Sequence, residues 1–155
     1  MPNNTYDDLF DAWGRALNVN PQLGKTVFHM ESSGGKNTGK SLPEDPDSPI
    51  GPMQMRPSTA AGIAKSMNIT GPIDLQDMRF VVPLAMRYLA DGLNATQSGN
   101  GALAYYYSGS ADPAAWGRKT QAYVAKGQAL YPTMALTPAQ SQQTQQAADA
   151  PPEQP

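Results

Sequence analysis

The sequence predicts a small, mainly α-helical domain that is followed by a polar tail. Apolar side chains recur at intervals of three and four residues in several segments, which is the spacing of one helix face. No alternating run of polar and apolar residues is long enough to predict a sheet. From Pro132 onward Ala, Gln, Pro, Thr and Ser dominate and aromatic residues vanish. We therefore predict one domain over residues 1–131 and a disordered tail or linker over residues 132–155.

The first two predicted helices carry the clearest start signals. Thr5 can cap a helix that runs to about Leu17, with three aspartates in its first turns. Asn20 and Pro21 then begin a second helix that reaches Glu31.

Four more helices are predicted after a long polar loop at residues 32–49. Pro57 suits the first position of the third helix, and Asp74 or Asp77 begins the fourth. Pro83 should kink the fourth helix or mark where its regular part begins. The predicted spans of the four helices are about 57–67, 74–93, 102–108 and 114–130.

Composition argues against several classes of function. The 11 Lys and Arg against 13 Asp and Glu give a net charge of −2 without a basic stripe, which disfavours direct nucleic-acid recognition. We expect no membrane-spanning segment and no signal peptide, because no apolar stretch is long enough for either. The chain has no cysteine and His29 is its one histidine, so cysteine metal sites are excluded and histidine-based metal sites are poorly supported.

Glu31 is the strongest catalytic candidate. It lies on the same helical stripe as Leu23, Val27 and Met30, yet it is an acid in the last turn of its helix. Apolar neighbours and the helix C-terminus both disfavour a carboxylate, so both would raise its pKa, as a general acid near neutral pH requires. From spacing alone, a glutamate that points into water past the helix end is equally acceptable.

Gln54 and a run of three tyrosines are the next candidates. Gln54 lies between Met53 and Met55 in a segment expected to be extended, where alternation would separate the amide from the methionines. An amide both donates and accepts hydrogen bonds, so it suits sugar hydroxyls and N-acetyl groups. Of the tyrosines at 105–107, one or two can face a cleft. The plainer alternatives are an exposed loop glutamine and three packing aromatics.

The acidic cluster Glu44, Asp45 and Asp47 is interrupted by Pro46 and has no calcium-loop spacing, so we interpret it as a solvated loop.

Five sequence blocks are informative because they occur together and in a fixed order. They are Glu31-Ser32 at a helix end, GPMQMRPSTA at 51–60, Tyr88-Leu89, ALAYYYSG at 102–109, and residues 120–130 with Tyr123-Val124. Together they resemble the soluble lytic transglycosylase (SLT) family, which has a lysozyme-like fold, over about residues 6–131. Pro52 stands where that family usually has Leu, and Tyr107 where it usually has Asn.

The resemblance implies a peptidoglycan lytic transglycosylase. Glu31 would protonate the glycosidic oxygen between N-acetylmuramic acid and N-acetylglucosamine and then take the proton of the C6 hydroxyl, leaving a 1,6-anhydro end. The substrate's own N-acetyl group would stabilise the positive centre, so a second carboxylate is not needed, in contrast to the usual two-acid glycosidase.

The same resemblance implies roles for other residues. Tyr106 takes the place of the family's cleft tyrosine, with its hydroxyl near the carboxyl of Glu31. Ser32, Gln54, Tyr107 and the backbone around Met53 are expected to bind the glycan strand, and no metal or cofactor is implied.

The setting is inferred from a substrate that lies outside the cytoplasm and a chain without a visible export signal. We expect a phage virion protein that opens the wall locally during entry, with its tail joined to further domains or other virion proteins. A secretion-system enzyme is the second setting. The alternative functions are a goose-type lysozyme hydrolase, a chitin-directed glycosidase, and a non-catalytic wall-binding or assembly module.

Overall fold

The computed structural model describes residues 6–36 and 44–134, and these ranges are mainly helical, as predicted. The α-helices are α1 (Asp7–Leu17), α2 (Pro21–Ser32), α3 (Pro57–Ser66), α4 (Met78–Thr96), α5 (Gly99–Ser108) and α6 (Arg118–Leu130). Short 3₁₀ turns occur at Pro113–Ala115 and Tyr131–Thr133. Within the described ranges there is no strand, and residues Ile50 and Met55 form an isolated antiparallel bridge.

Three helices begin at side chains that cap free backbone N–H groups. The Asn20 side chain accepts from the backbone N–H of Gln22 at 2.9 Å, which confirms the predicted start of α2. Asp77 rather than Asp74 caps α4. Ser98 caps α5 by accepting from the N–H of Gly101 at 2.9 Å, so this helix begins earlier than predicted.

Other helix ends differ from the prediction. The last predicted helix is two elements, because the Asp112 side chain caps a short 3₁₀ turn and Gly117 is extended before α6 begins. Helix α4 runs without interruption through Pro83, so its regular part does not begin there. Helix α1 begins after Tyr6, and the predicted cap, Thr5, lies outside the described residues.

The predicted disorder of the tail falls almost wholly on residues 135–155, which also lie outside the described part of the chain. The last described residues pack against α2: Asn20 Nδ2 donates to the hydroxyl of Tyr131, and Gln22 Nε2 donates to the carbonyl of Met134 at 3.0 Å. The predicted boundary at residue 131 stays a prediction.

Helix α4 lies at the centre of the fold. It packs against α1, α2, α3 and α5, and Val82, Met86 and Leu89 on it are fully buried. Helix α6 packs on α5 and α2. The C-terminal end of α2, the middle of α5 and one face of α6 therefore meet at one side of the core. None of the helices in residues 6–36 and 44–134 combines the length and apolar character that crossing a membrane requires.

The interface of α1 and α2 contains a buried ionic group that the sequence analysis did not predict. Lys25 Nζ lies 2.8 Å from Asp11 Oδ1 and 3.7 Å from Asp7 Oδ1, and all three residues are buried. We attributed these aspartates to the helix dipole, but their spacing of four residues places both on the face that meets Lys25. Removing one member of such a group leaves a buried charge without its partner.

Residues 50–55 form a tight turn rather than the expected extended segment. The backbone N–H groups of Ile50 and Met55 donate to each other's carbonyls at 3.0 and 3.2 Å. Gly51 and Gln54 close the turn with positive φ angles of 81° and 49°. The side chains of Met53 and Met55 enter the core, which separates them from Gln54 as predicted, although by a different backbone geometry.

Gly51→Ala should destabilise the domain by about 3 kcal/mol or more. The backbone has a left-handed conformation that alanine adopts poorly, and a Cβ at this position would overlap the carbonyl oxygen of Leu75. Urea unfolding followed by circular dichroism measures the change. The control is Gly62→Ala in α3, where a Cβ meets nothing within 4 Å, so a gain of about 0.5–1 kcal/mol is expected. Equal stability of the two variants would contradict the role given to Gly51.

Candidate active site

A cleft of about 500 Å³ opens between the end of α2, the turn at residues 50–55 and helix α5. Its lining includes Glu31, Gln54, Tyr106 and Tyr107, which are four of the six predicted site residues. Pro49, Met55, Arg56, Thr59, Tyr88, Ser108 and Gly109 complete the lining. The other two predicted residues, Ser32 and Met53, lie behind it.

Glu31 is half-buried in the last turn of α2, and its carboxyl faces the cleft. Its Oε2 accepts a hydrogen bond from the hydroxyl of Tyr123 at 3.1 Å. Burial raises the pKa of Glu31 to about 7, because removing a carboxylate from water disfavours its charged form, and the hydrogen bond from Tyr123 offsets part of that rise. Near neutral pH the side chain can therefore either give or take a proton.

Tyr123, on α6, is the site residue that the sequence analysis missed. Sequence analysis gives Tyr123 no role in the site, although the block Tyr123-Val124 within residues 120–130 is a signal for it. Burial, with the nearby charge of Glu31, raises the pKa of Tyr123 well above 10. The phenol therefore keeps its proton and remains a donor to Glu31.

Tyr106 has a different partner from the one expected. Its buried hydroxyl donates to the carbonyl of Met53 at 2.7 Å. It is close enough to Glu31 for that charge to raise its pKa further, after burial as the main cause. The correction is that Tyr123, not Tyr106, donates the hydrogen bond to the acid, whereas Tyr106 holds the turn that carries Gln54.

Met53 does not line the cleft, because its side chain is fully buried and its carbonyl faces Tyr106. Its carbonyl supports the turn through Tyr106, and the predicted contact of the backbone around Met53 with the sugar stays a prediction. Gln54 does line the cleft, and its Nε2 donates to the carbonyl of Gly51 at 2.9 Å. This bond uses one of the two amide N–H groups and orients the side chain.

Ser32 is buried, and its hydroxyl is engaged within the chain. Its Oγ donates to the carbonyl of Phe28 at 3.1 Å and accepts from the N–H of Gly35 at 2.9 Å. The predicted contact of Ser32 with substrate is therefore corrected, because these bonds fix the turn after α2 and, with it, the end of the helix that carries Glu31.

Aromatic side chains form one wall of the cleft. Tyr107 is 43% exposed, and its ring centroid lies 4.7 Å from that of Tyr123 with the planes tilted by 33°. On the other side, the ring of Tyr88 packs against Tyr106 at 5.3 Å. Of the three consecutive tyrosines, 106 and 107 line the cleft, in agreement with the helical rotation of about 100° per residue.

The chemistry available in the cleft is that of one acid assisted by polar side chains and one cation, Arg56. Glu31 is the single carboxyl group among the cleft-lining residues that the structure describes. Within residues 6–36 and 44–134, no group of three His, Cys, Asp or Glu side chains is arranged to hold a metal ion. The described groups can thus donate a proton, accept a proton and hold a polar ligand.

Comparison with known proteins assigns the fold and the cleft to a class. A family model described as Transglycosylase SLT domain matches residues 8–128. The chain belongs to this family, and its domain is therefore lysozyme-like. Membership supports lytic transglycosylase activity on peptidoglycan in general. Neither the search of curated proteins nor the search of solved structures gave a match.

Glu31→Gln should stabilise the domain above pH 7 and leave its stability at pH 4 nearly unchanged. A folded-state pKa of about 7, above the ordinary 4.5, means that the folded state binds the proton more tightly than the unfolded state. Stability therefore falls as pH rises from about 4.5 to about 7, by on the order of 3 kcal/mol. Thermal unfolding of both proteins at pH 4 and pH 8 measures the difference. A gain that is the same at both pH values would contradict the shifted pKa.

Proposed function

We propose that this domain is a peptidoglycan lytic transglycosylase in which Glu31 acts first as the general acid and then as the general base. The observation that carries the proposal is the half-buried carboxyl of Glu31, which faces the cleft with a pKa of about 7 and a hydrogen bond from Tyr123. Membership of the SLT family supports the substrate class.

In the first step, protonated Glu31 donates its proton to the glycosidic oxygen that joins N-acetylmuramic acid to N-acetylglucosamine. The C1–O bond breaks, and the departing N-acetylglucosamine keeps the proton on its 4-hydroxyl. Positive charge develops at C1 and is stabilised by the carbonyl oxygen of the substrate's own N-acetyl group. This assistance replaces the second carboxylate of a two-acid glycosidase, in agreement with a cleft lining in which Glu31 is the one described acid.

In the second step, ionised Glu31 removes the proton of the C6 hydroxyl, and O6 forms a bond to C1 of the same sugar. The product is a 1,6-anhydro-N-acetylmuramic acid end, and Glu31 is again protonated. Between the two steps Glu31 is a carboxylate, and the hydrogen bond from Tyr123 stabilises this charged state. Tyr123 is therefore a positioning residue that also tunes the acid.

Gln54 and Tyr107 supply the proposed sugar contacts. The Gln54 amide keeps a second N–H and its carbonyl oxygen for an N-acetyl group, while its bond to Gly51 fixes the orientation. The exposed ring of Tyr107 offers a flat apolar surface to one face of a sugar.

A goose-type lysozyme with water as the nucleophile, a chitin-directed glycosidase and a non-catalytic wall-binding module are the competing functions. The hydrolase would use the same acid but leave reducing ends in place of anhydro ends. Cleavage of a glycan that lacks the lactyl ether would identify a chitin-directed enzyme. The non-catalytic module would have no use for a destabilised acid that faces a cleft.

Mass spectrometry of the products released from purified sacculi tests the proposed reaction. Wild type should release anhydro-muropeptides, and Glu31→Gln should be slower by about 10³-fold or more, because the described cleft lining has no other carboxyl group to supply the proton. Glu44→Gln, a matched change at an exposed loop glutamate, is the control and should retain activity. Reducing ends from wild type would favour the hydrolase. Full activity of Glu31→Gln would show that Glu31 is not the proton donor.

The pH profile of activity should depend on Tyr123. The first step needs protonated Glu31, so kcat/KM should fall as pH rises through about 7. Tyr123→Phe removes the hydrogen bond that lowers the pKa of Glu31, so the fall should move to higher pH. Tyr106→Phe, whose lost bond is to Met53, should change KM more than the midpoint of the profile. Identical profiles for wild type and Tyr123→Phe would show that Tyr123 has a packing role alone.

The phage setting remains a prediction from the sequence, as do partners joined through the tail. Mass spectrometry of purified phage particles from cells that express this chain tests it: the chain should be present in every particle preparation in fixed ratio to the capsid protein. A chain found free in the lysate and absent from particles would contradict that setting.

A further inference from the structure

Arg56 is the one cation among the described residues that line the cleft, and neither the proposed reaction nor the sequence analysis gives it a role. It is the residue before α3, and half of its side chain, 51%, is exposed. It is not among the groups that shift the pKa of Glu31. We therefore expect Arg56 to contact a part of the ligand other than the glycosidic bond.

Only one of its terminal nitrogens has a partner among the described residues. Nη1 of Arg56 donates to the backbone carbonyl of Asp47 at 3.0 Å and lies 3.8 Å from Asp45 Oδ2. The carboxylate of Asp47 is engaged elsewhere, because it accepts from the backbone N–H and the hydroxyl of Ser58 at 2.8 and 2.6 Å. These contacts hold the guanidinium through Nη1 and leave Nε and Nη2 available to bind a ligand.

The charge of the cleft favours an anion at this point. While Glu31 is protonated for the first step, the described lining carries one positive charge, at Arg56, and no negative charge. The pair with Asp45 is long and exposed, and the exposed carboxylate of Asp47 interacts with the guanidinium through charge alone, so both neutralise it poorly. Nε and Nη2 of an arginine form the fork that binds both oxygens of a carboxylate.

We propose that Arg56 binds a carboxylate carried by the glycan strand, so that this cleft distinguishes acid-bearing peptidoglycan strands from uncharged N-acetylglucosamine polymers. This inference rests on the proposed function. Peptidoglycan offers such a carboxylate in two places, on the stem peptide and, where the peptide has been removed, on the lactyl ether. A strand of N-acetylglucosamine alone offers neither.

Binding rather than turnover tests the inference, so that it is separate from the test of the reaction. Glu31→Gln serves as the common background, and isothermal titration measures affinity for three glycans of equal length. These are a strand with stem peptides, a strand stripped of peptides by an amidase, and a chitooligosaccharide. Arg56→Gln should lower affinity for one or both carboxylate-bearing strands by about three- to tenfold and for the chitooligosaccharide by less than twofold. The difference should shrink in 0.5 M salt.

The pattern among the three glycans identifies the source of the carboxylate. A loss confined to the peptide-bearing strand assigns it to the stem peptide, and a loss confined to the stripped strand assigns it to the lactyl group. Arg79→Gln is the matched control, since Arg79 is an exposed arginine paired with Asp77 and does not line the cleft. An equal loss for all three glycans, or no loss for any, would overturn the inference. Activity of Glu31→Gln would instead contradict the proposed reaction, and the affinity ratios would still test the role of Arg56.

Discussion

The hydrogen bond between Tyr123 and the desolvated carboxyl of Glu31 is the contact on which the site depends. It joins α6 to the end of α2 through two residues that are 92 positions apart in the sequence. Gly127 of α6 packs closely at the same place, because a Cβ there would lie 2.7 Å from the end of the Leu103 side chain and 3.0 Å from that of Met30. The packing of α2, α5 and α6 removes water from the acid.

Tyr123 and Tyr106 have similar surroundings, and each stabilises a different part of the site. Tyr123 bonds the acid, and Tyr106 bonds the carbonyl of Met53 and so fixes the turn that presents Gln54 to the cleft. Both phenols stay protonated, since burial raises both pKa values well above 10. The acid itself is destabilising above neutral pH, and the core around α4 offsets that cost. Stability given up at one carboxyl is the physical basis of its reactivity.

The sequence predicted the helices and the acid because those signals are local. Asn20, Asp77 and Glu31 are informative through residues within two turns of their own position. The choice between Tyr106 and Tyr123 depends instead on how far α5 is rotated against α6, which no local pattern encodes. The role of Ser32 was predicted from the family's Glu-Ser pair, whereas the helical rotation turns its hydroxyl to Phe28 and Gly35. The ion group of Lys25 required knowing which helix packs on which.

Tyr107, which stands where the family usually has Asn, is connected to the hydrogen bond between Tyr123 and Glu31. The ring of Tyr107 packs on Tyr123, the residue that bonds the acid, whereas an asparagine could not form that aromatic pair. A sugar seated on Tyr107 would therefore press on the same pair that holds the carboxyl of Glu31. The ring of Tyr107, the ring of Tyr123 and the carboxyl of Glu31 therefore form one continuous series of contacts along the cleft.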